Sequence, residues 1–563
     1  MKVCVLDIEG NGLGELVLDS KGKPYTEATR VLCAATKVND EEPILWLEHQ
    51  MKDLVKYLSE MPVIIGHNIW GYDFPVMRRL YGMARPKCIV DTLVISKLMY
   101  PDINNHPIGD NSLESWGKHL NFPKINYTAG WQQYSDEMGT YCLQDARLGM
   151  AIYQAQKPFI SKNKELVRFE SSVSEVLMEQ IEHGFNYDRD AGDRLYQTLM
   201  LEKLGIEDEM RQIFPDRIII RHSEKTGKRL KDKIETFNPG SRQQIAARLT
   251  EKYGWEPPLT DKGNPKVDEA VLATLEYPEA KKLTEYFNTV KLMGMVEDWN
   301  TRANSSRDTR IHGNINAQGA ATGRCTHSQP NIAQVSGDHR ARELWVADPG
   351  DVVVGADLSG LELRMLAHFM AKYDNGEYAK VLLTGDIHTH NQHAAGLSSR
   401  SLAKSFIYAY LYGAGDKKIA LVCDCSVSDA RKLRERFQKE IPALAKVQDA
   451  VRFETVKTGK VRLPDGRQVP VRSEHAALNT LLQGSGAIVS KYWMVEASKE
   501  AMRHRAHQLA YIHDELQYSC PKSCADDFGK AVTTAATKAG ELLNLNIRID
   551  AEYRVGNTWA ETH

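Results

Sequence analysis

A chain of 563 residues is too long for one hydrophobic core, so its ordinary globular composition is expected to be spread over three or four domains. The formal net charge of -2 excludes neither a nucleic-acid nor a membrane partner, because a channel lined with Lys and Arg can be offset by acids elsewhere. Nine scattered cysteines, with Cys423-x-Cys425 and Cys520-x3-Cys524 the only close pairs, provide neither a disulfide framework nor a four-ligand zinc set, and point to a reduced compartment.

In chain order, the opening MKVCVLDIEG has no apolar core followed by a cleavage signal, so neither a signal peptide nor a span is expected there. Val3 to Leu6 reads as a central strand running into Asp7-Ile8-Glu9, with the two carboxylates on one side of the extended backbone. Gly10, Asn11, Gly12 and Gly14 close it. A second apolar strand, Val63 to Gly66, leads into His67-Asn68, and Asp73 opens a helix with Phe74, Met77 and Leu80 on one face. Asp145 lies in a helical segment from Thr140 to Tyr153, with Tyr141 one turn earlier on the same face. Four acids in such an arrangement suit two divalent cations about 3.5–4 Å apart that activate a water and stabilise a leaving oxygen. Taken singly, each piece has an ordinary alternative: a polar strand end, an N-cap at Asp73, a core tyrosine at Tyr141.

From Lys162 to about Asn300 the sequence reads as helical. Glu165 to Ile181 is a helix ended by Gly184, and Arg194 to Leu204 is another. Phe237 to Ser241 is a turn and N-cap, followed by an Ile245, Leu249, Tyr253 stripe. Lys225, Lys228, Arg229, Lys231 and Lys233 form a basic run that suits either a phosphate backbone or a solvated loop. Beyond Arg310, glycine combines with Asn, Thr, Arg and Ser in non-periodic sequence through Ser328. Such mixtures place backbone close to a ligand or form surface strand pairs.

The stretch DVVVGADLSGLELRMLAHF, from Asp351, reads as a buried strand ending at Asp357 and handing over to a helix. Arg400, Lys404, Tyr408 and Tyr412 are four residues apart, so they occupy one helical flank spanning ~120°. Cations at one end and rings at the other suit an incoming nucleotide. Near the end of the chain, apolar runs flank His513-Asp514-Glu515 in a tight hairpin with acids at its tip. Asp357 and Asp514 are proposed to face one another, for chemical reasons rather than from spacing.

Asp7-Ile8-Glu9, His67-Asn68-x4-Asp73 and Tyr141-x3-Asp145 resemble the three motifs of DEDD exonucleases of the tyrosine subclass. DLSGLELR from Asp357, RSLAKSFIYAYLYG from Arg400 and HDE from His513 resemble motifs A, B and C of the family A DNA polymerases, those related to bacterial DNA polymerase I. GDIHTHN from Gly385, VRSEHAALNTLLQGSGA from Val471 and GNTWAETH bring the chain near the replicative members of T-seven-type short-tailed phages. The resemblance implies a multidomain α/β and α+β fold, with a ribonuclease H-like exonuclease domain followed by a right-hand polymerase. The implied domains are an exonuclease over 1–160, a largely helical thumb and connection over 161–310, palm over 311–384, fingers over 385–450 and the rest of the palm over 451–563.

By the same resemblance Asp357, Asp514 and the Leu358 carbonyl hold metal at the polymerase site. Asp7, Glu9, Asp73 and Asp145 hold it at the exonuclease site, beside Tyr141. Each site takes two Mg2+, with Mn2+ as a substitute. Arg400, Lys404 and His388 contact the triphosphate, and Lys404 protonates the departing pyrophosphate. Glu362 packs under the deoxyribose and with Tyr408 excludes a ribose hydroxyl, while Tyr412 sits where the template base stacks. Arg324, Asn479 and Gln483 contact DNA, and His513 touches the primer end. Template-directed primer extension with 3′–5′ proofreading is the implied activity. An exonuclease with a DNA-holding module and a replisome scaffold are the alternatives, and intact Asp357, Lys404 and Asp514 argue against both. Primer-template DNA, deoxynucleoside triphosphates, a helicase-primase and a single-strand-binding protein are the implied partners of a monomer in the cytoplasm of an infected bacterium. Only Ile213 to Thr236 occupies the place where the phage enzymes insert a thioredoxin-binding segment, so thioredoxin is not an expected partner.

Overall fold

The computed structural model describes residues 2–12, 28–102, 105–222, 225–306, 308–335 and 337–563; the expected turn residue Gly14 and residues 223–224 of the Ile213–Thr236 join lie outside them. The N-terminal sheet runs Ile44–Leu47, Val31–Val38, Cys4–Gly10, Ile64–Gly66, Ile89–Asp91. Its first two junctions are antiparallel and its last two parallel. Cys4–Gly10 is central and covered on both faces, which explains its nearly unbroken apolar run. Leu6 and Ile8 enter one core with Leu54, Phe74 and Met77. Val3 and Val5 enter another with Met138, Cys142 and Ala146 of the Asp136–Lys162 helix. Strand alternation therefore turns Asp7 and Glu9 toward that helix.

The second sheet is antiparallel throughout, in the order His507–Ile512, Glu515–Pro521, Asp351–Leu358, Ala551–Gly556. Val352 and Val354 of its strand Asp351–Leu358 share a core with Val489 and Trp493 of the Ala477–His504 helix and with Phe528 and Val532 of the Ala525–Leu542 helix. Phe406 and Phe437, from the helices Arg400–Leu411 and Val427–Glu440, belong to the same core. The expected division into a mixed exonuclease sheet and an antiparallel palm sheet is present.

Two compact units divide the chain: Met1–Asn186 with His312–Gln334 and Val346–His563, and Tyr187–Ile311 with Val335–Trp345. The second is largely helical, with Met210, Phe237, Ile245, Leu249 and Leu283 in its core. Ser241 caps its helix as expected, accepting the Gln244 N–H at 3.4 Å. Tyr253, the last residue of the expected stripe, instead lies at the surface and stacks on Tyr277 with centroids 4.0 Å apart. The basic run is partly built into a hairpin of Arg217–Ile219 and Lys233–Glu235, with Arg229 paired to Asp232 at 2.8 Å.

One edge of the first unit falls at Asn186/Tyr187. Helix Lys164–His183 joins the first unit because Val173 and Leu177 enter the core of the antiparallel sheet. Its Glu170 is fully buried and accepts from Lys491 at 3.1 Å and pairs with Arg467 at 2.6 Å. Burial alone would raise the Glu170 carboxyl, but Lys491 and Arg467 outweigh it and hold it below its usual range. Its contribution to stability is therefore complete above the unfolded carboxyl's pKa and is lost as pH falls through the depressed folded value. Removing one partner strands a buried charge. Lys491→Met should cost about 3–5 kcal/mol, read as a lower denaturant midpoint, and should shift acid unfolding toward higher pH.

Candidate active sites

Asp7, Glu9 and Cys142 each bring a ligand atom within 4.8 Å of the others. The helix carrying Cys142 and Asp145 begins at Ser135, whose hydroxyl accepts the Met138 N–H at 3.1 Å. Asp73 is not the N-cap of its helix, since Tyr72 holds that position. The Asp73 carboxylate instead accepts the Ile8 N–H at 3.1 Å, which fixes it to the strand between the other two acids. His67 Nδ1 lies 2.9 Å from Thr92 Oγ1, and Asn68 turns the chain with φ 67°.

Burial raises Asp7 well above the usual carboxylate range, and Glu9, Asp145 and Asp73 add to the shift. Glu9 is pushed up to about 9, first by burial and then by Asp145. Asp73 is pushed up to about 8 by burial. Asp145 is also raised by burial, against the pull of Lys124, whose Nζ is 2.7 Å from its Oδ2. The other Asp145 oxygen is buried with no hydrogen-bond partner. Mutually repelling carboxylates and an unpartnered carboxylate oxygen form a donor set that fits oxygen-preferring divalent cations.

In the second sheet, Asp357 stands opposite Glu515, and the Leu358 N–H donates to the Asp514 carbonyl at 2.9 Å. Strand end and hairpin tip are thereby pinned together. His513 makes the turn with φ 57°, and its carbonyl accepts from the Ser490 hydroxyl. Asp357 opens to solvent at its own surface, yet the protein around it displaces water and pushes its carboxyl up to about 7, helped by Asp514 and Glu515. Burial raises Asp514 as well. Glu515 is occupied elsewhere: it accepts from Trp559 Nε1 at 2.6 Å and Gln517 Nε2 at 2.7 Å, and pairs with His563 at 3.0 Å.

A cavity of about 400 Å³ gathers Asp357, Leu358 and Asp514 with Arg324, Glu362, Tyr408, Tyr412, Gln483 and His513. Tyr408 rides on the Arg400–Leu411 helix, while Tyr412 is its C-cap, just before Gly413 with φ 75°. The Tyr412 hydroxyl donates to Glu362 at 2.7 and 2.8 Å, and Arg324 approaches Glu362 at 3.7 Å. Glu362 is thus tied to Tyr412, in the same cavity as Tyr408. Arg400, Lys404 and His388 do not line this cavity. Arg400 pairs with Asp386 at 2.6 Å, and Asp386 also accepts the His388 N–H at 3.0 Å. His388 Nδ1 is buried without a partner. Burial lowers the His388 pKa, and Arg400 and Lys404 lower it further. Asn479 lines a neighbouring cavity of about 760 Å³ that shares Gln483.

Residues 217–561, more than half of the chain, match the family described as DNA polymerase family A. The chain belongs to DNA polymerase family A. This family A polymerase is 28% identical to the DNA-directed DNA polymerase of Escherichia phage T7 over 722 aligned positions covering 100% of both chains. It is 29% identical to that of Enterobacteria phage T3 over 655 positions, covering 89% of this chain and 92% of the relative. The fold matches that of the POL domain of Pol1 from M. smegmatis, solved in complex with DNA primer-template and dNTP, with a TM-score of 0.81 at 16% identity, covering 99% of this chain and 96% of that one. The T7 alignment is longer than the 563 residues of this polymerase, so the relative contains residues with no counterpart here.

Three neighbours of the sites escaped the sequence reading. Lys124 lies 21 residues before Asp145, in a loop with no periodicity to place it. Cys142 was hidden by sitting next to Tyr141. Asp386 was visible only as the acid of GDIHTHN, and it caps the Ile387–Ala395 helix. The close cysteine pairs are free thiols.

Folded pKa values raised above those of the unfolded chain mean that these acids cost stability as pH rises from the ordinary carboxylate range up to about 8 and 9, the values for Asp73 and Glu9. In EDTA, Glu9→Gln and Asp73→Asn should each raise stability by about 1 kcal/mol, and wild-type melting should fall across that pH window. Adding Mg2+ should raise the wild-type midpoint more than that of either variant, by calorimetry.

Proposed function

We propose that this chain is a template-directed DNA polymerase that adds deoxynucleoside monophosphates to a primer 3′ hydroxyl and proofreads with a separate 3′–5′ exonuclease. The observation that carries the reading is the cavity in which Asp357 and Asp514 meet Arg324, Tyr408, Tyr412 and Gln483, in a family A chain. The DNA-directed DNA polymerases of phages T7 and T3, similar over 100% and 89% of this chain, support it.

At the polymerase site Asp357, Asp514 and the Leu358 carbonyl would hold two Mg2+. Asp7, Glu9, Asp73 and Asp145 would do so at the exonuclease site, with Mn2+ able to substitute. When bound, such cations lower the pKa of an attacking hydroxyl or water and neutralise the phosphate oxygens. Arg400, Lys404 and His388 hold the triphosphate, and Lys404 gives the leaving pyrophosphate its proton. The Asp386 to Arg400 pair keeps the guanidinium oriented until phosphate replaces the carboxylate. Glu362, held by Tyr412, and Tyr408 form the floor under the sugar. Arg324, Gln483 and Asn479 read minor-groove acceptors, which all base pairs present and which therefore suit a check independent of sequence. His513 contacts the primer end. In the exonuclease site Tyr141 orients the attacking water.

The enzyme acts as a monomer, with primer-template DNA and deoxynucleotides as substrates and a helicase-primase and single-strand-binding protein beside it. The domains are those outlined from the sequence, with the thumb in the unit Tyr187–Ile311. Among the described residues no helix is long and apolar enough to cross a membrane. The cytoplasm of an infected bacterium is the proposed location. Thioredoxin is not needed, since the short join carrying the hairpin of Arg217–Ile219 and Lys233–Glu235 is too small to form an independent core.

Asp7→Ala with Glu9→Ala should abolish 3′-end trimming and leave extension of the same labelled primer intact, whereas Asp514→Ala should do the reverse. Loss of both activities in either folded variant would refute two separate centres. Tyr408 also predicts sugar selection. Its hydroxyl can replace the interaction lost when a nucleotide lacks its 3′ hydroxyl, worth about 1–3 kcal/mol. In competition assays Tyr408→Phe should therefore discriminate against dideoxynucleotides roughly tenfold or more above wild type.

A further inference from the structure

Beside the acids of the exonuclease site runs a segment outside its motifs, Pro123 to Trp131. Its start is fixed to the surrounding helices: the Gln144 side chain donates to the Pro123 carbonyl at 3.1 Å, and the Phe122 N–H to the Gly117 carbonyl at 2.8 Å. Lys124 Nζ is thereby held 2.7 Å from Asp145 Oδ2 and 4.7 Å from the centroid of the Tyr141 ring. Tyr127 packs 5.6 Å from Tyr141 and 5.0 Å from Trp131, and Trp131 lies 5.9 Å from Tyr141. The Tyr127 hydroxyl closes the loop by donating to the Gly130 carbonyl at 2.7 Å, yet Trp131 remains 39% exposed. A groove of about 940 Å³ passes along Lys118, Lys124, Tyr127 and Tyr141 and reaches His67.

We propose that Lys124 is a positioning residue of the exonuclease reaction, holding Tyr141 and Asp145 in their working arrangement beside an aromatic wall of Tyr127 and Trp131 that receives the unpaired bases of a DNA 3′ end. The inference rests on the exonuclease reading above. Asp145 is almost entirely enclosed, and its pairing with Lys124 at 2.7 Å keeps the carboxylate from turning away from Asp7 and Glu9. An ammonium has three donors and no acceptor, so one lysine can serve a carboxylate and an aromatic ring at once. Tyr141 has no other cation on its ring among the described residues, and the rings of Tyr127 and Trp131 pack against it. An exposed indole backed by two phenols gives bases of any sequence a stacking surface, as a proofreading site requires. A purely structural ion pair would explain the Lys124 to Asp145 contact, but not its position over Tyr141 at the head of an open groove.

The test is single-turnover trimming of a labelled single-stranded oligonucleotide in Mg2+, with binding of the same strand followed by fluorescence anisotropy in EDTA and folding by calorimetry. Lys124→Ala should lower the limiting rate about 10²-fold with binding changed little. Lys124→Gln, which keeps the stem and its packing, should do the same, while Lys124→Arg should retain at least about a tenth of the wild-type rate. Trp131→Ala should instead weaken binding about tenfold with a nearly unchanged limiting rate. An unchanged rate in folded Lys124→Gln, a loss confined to binding, or no recovery in Lys124→Arg would each overturn the positioning role. Should wild type extend primers yet leave the single strand whole, the exonuclease reading itself would be what fails.

Discussion

Like charge held against like charge governs both candidate sites. Carboxylates that repel one another stay together only if the backbone leaves them no room to part, and here the backbone does so by hydrogen bonds of its own. Asp7 and Glu9 share one face of a strand buried on both sides, and Asp73 is tied to that strand through the Ile8 N–H. Asp357 and Asp514 are brought together by the pairing that ends with the Leu358 N–H on the Asp514 carbonyl. Burial raises the pKa values of Asp7, Glu9 and Asp357 most, and the neighbouring carboxylates raise them further. Each site is therefore anchored on a sheet strand, with Asp73 and Asp145 brought to it on helices and Asp514 on a hairpin turn.

Neighbouring side chains relieve that repulsion at some of the acids. Glu515, next to Asp514, is turned into the core and compensated by Trp559, Gln517 and His563. Lys124 faces Asp145 but leaves its second oxygen unpartnered. Asp386 gives Arg400 a counterion. The segment ending in GNTWAETH thus braces the hairpin through Trp559 and His563.

The two sheets belong to one compact unit, and polar contacts join them. Lys97, on the helix following the exonuclease strand Ile89–Asp91, donates to Asn316 Oδ1 at 2.9 Å, eight residues before Arg324. Glu170 joins helix Lys164–His183 to Lys491 and Arg467 on the polymerase side. Such buried, directional pairs are stronger constraints on relative position than apolar contact, which tolerates sliding.

Local pattern carried much of this protein. Alternation around Asp7 and Glu9, the four-residue step from Arg400 to Tyr408 and the apolar runs flanking His513 each determine a face or a turn, because period and hydrogen bonding act over a few residues. The order of the exonuclease and polymerase motifs was legible for the same reason. Tertiary structure decided what depends on distant chain: that the helix Lys164–His183 packs with the palm sheet, that Glu362 bonds Tyr412, that Arg400 is held by Asp386, and that Glu515 is buried while Asp514 faces Asp357. It also decided the place of Lys124, whose loop has no periodicity and whose partners lie on a helix beyond it. Sequence spacing sets which residues share a face; which faces meet is set by packing between elements far apart in the chain, and no local pattern encodes that.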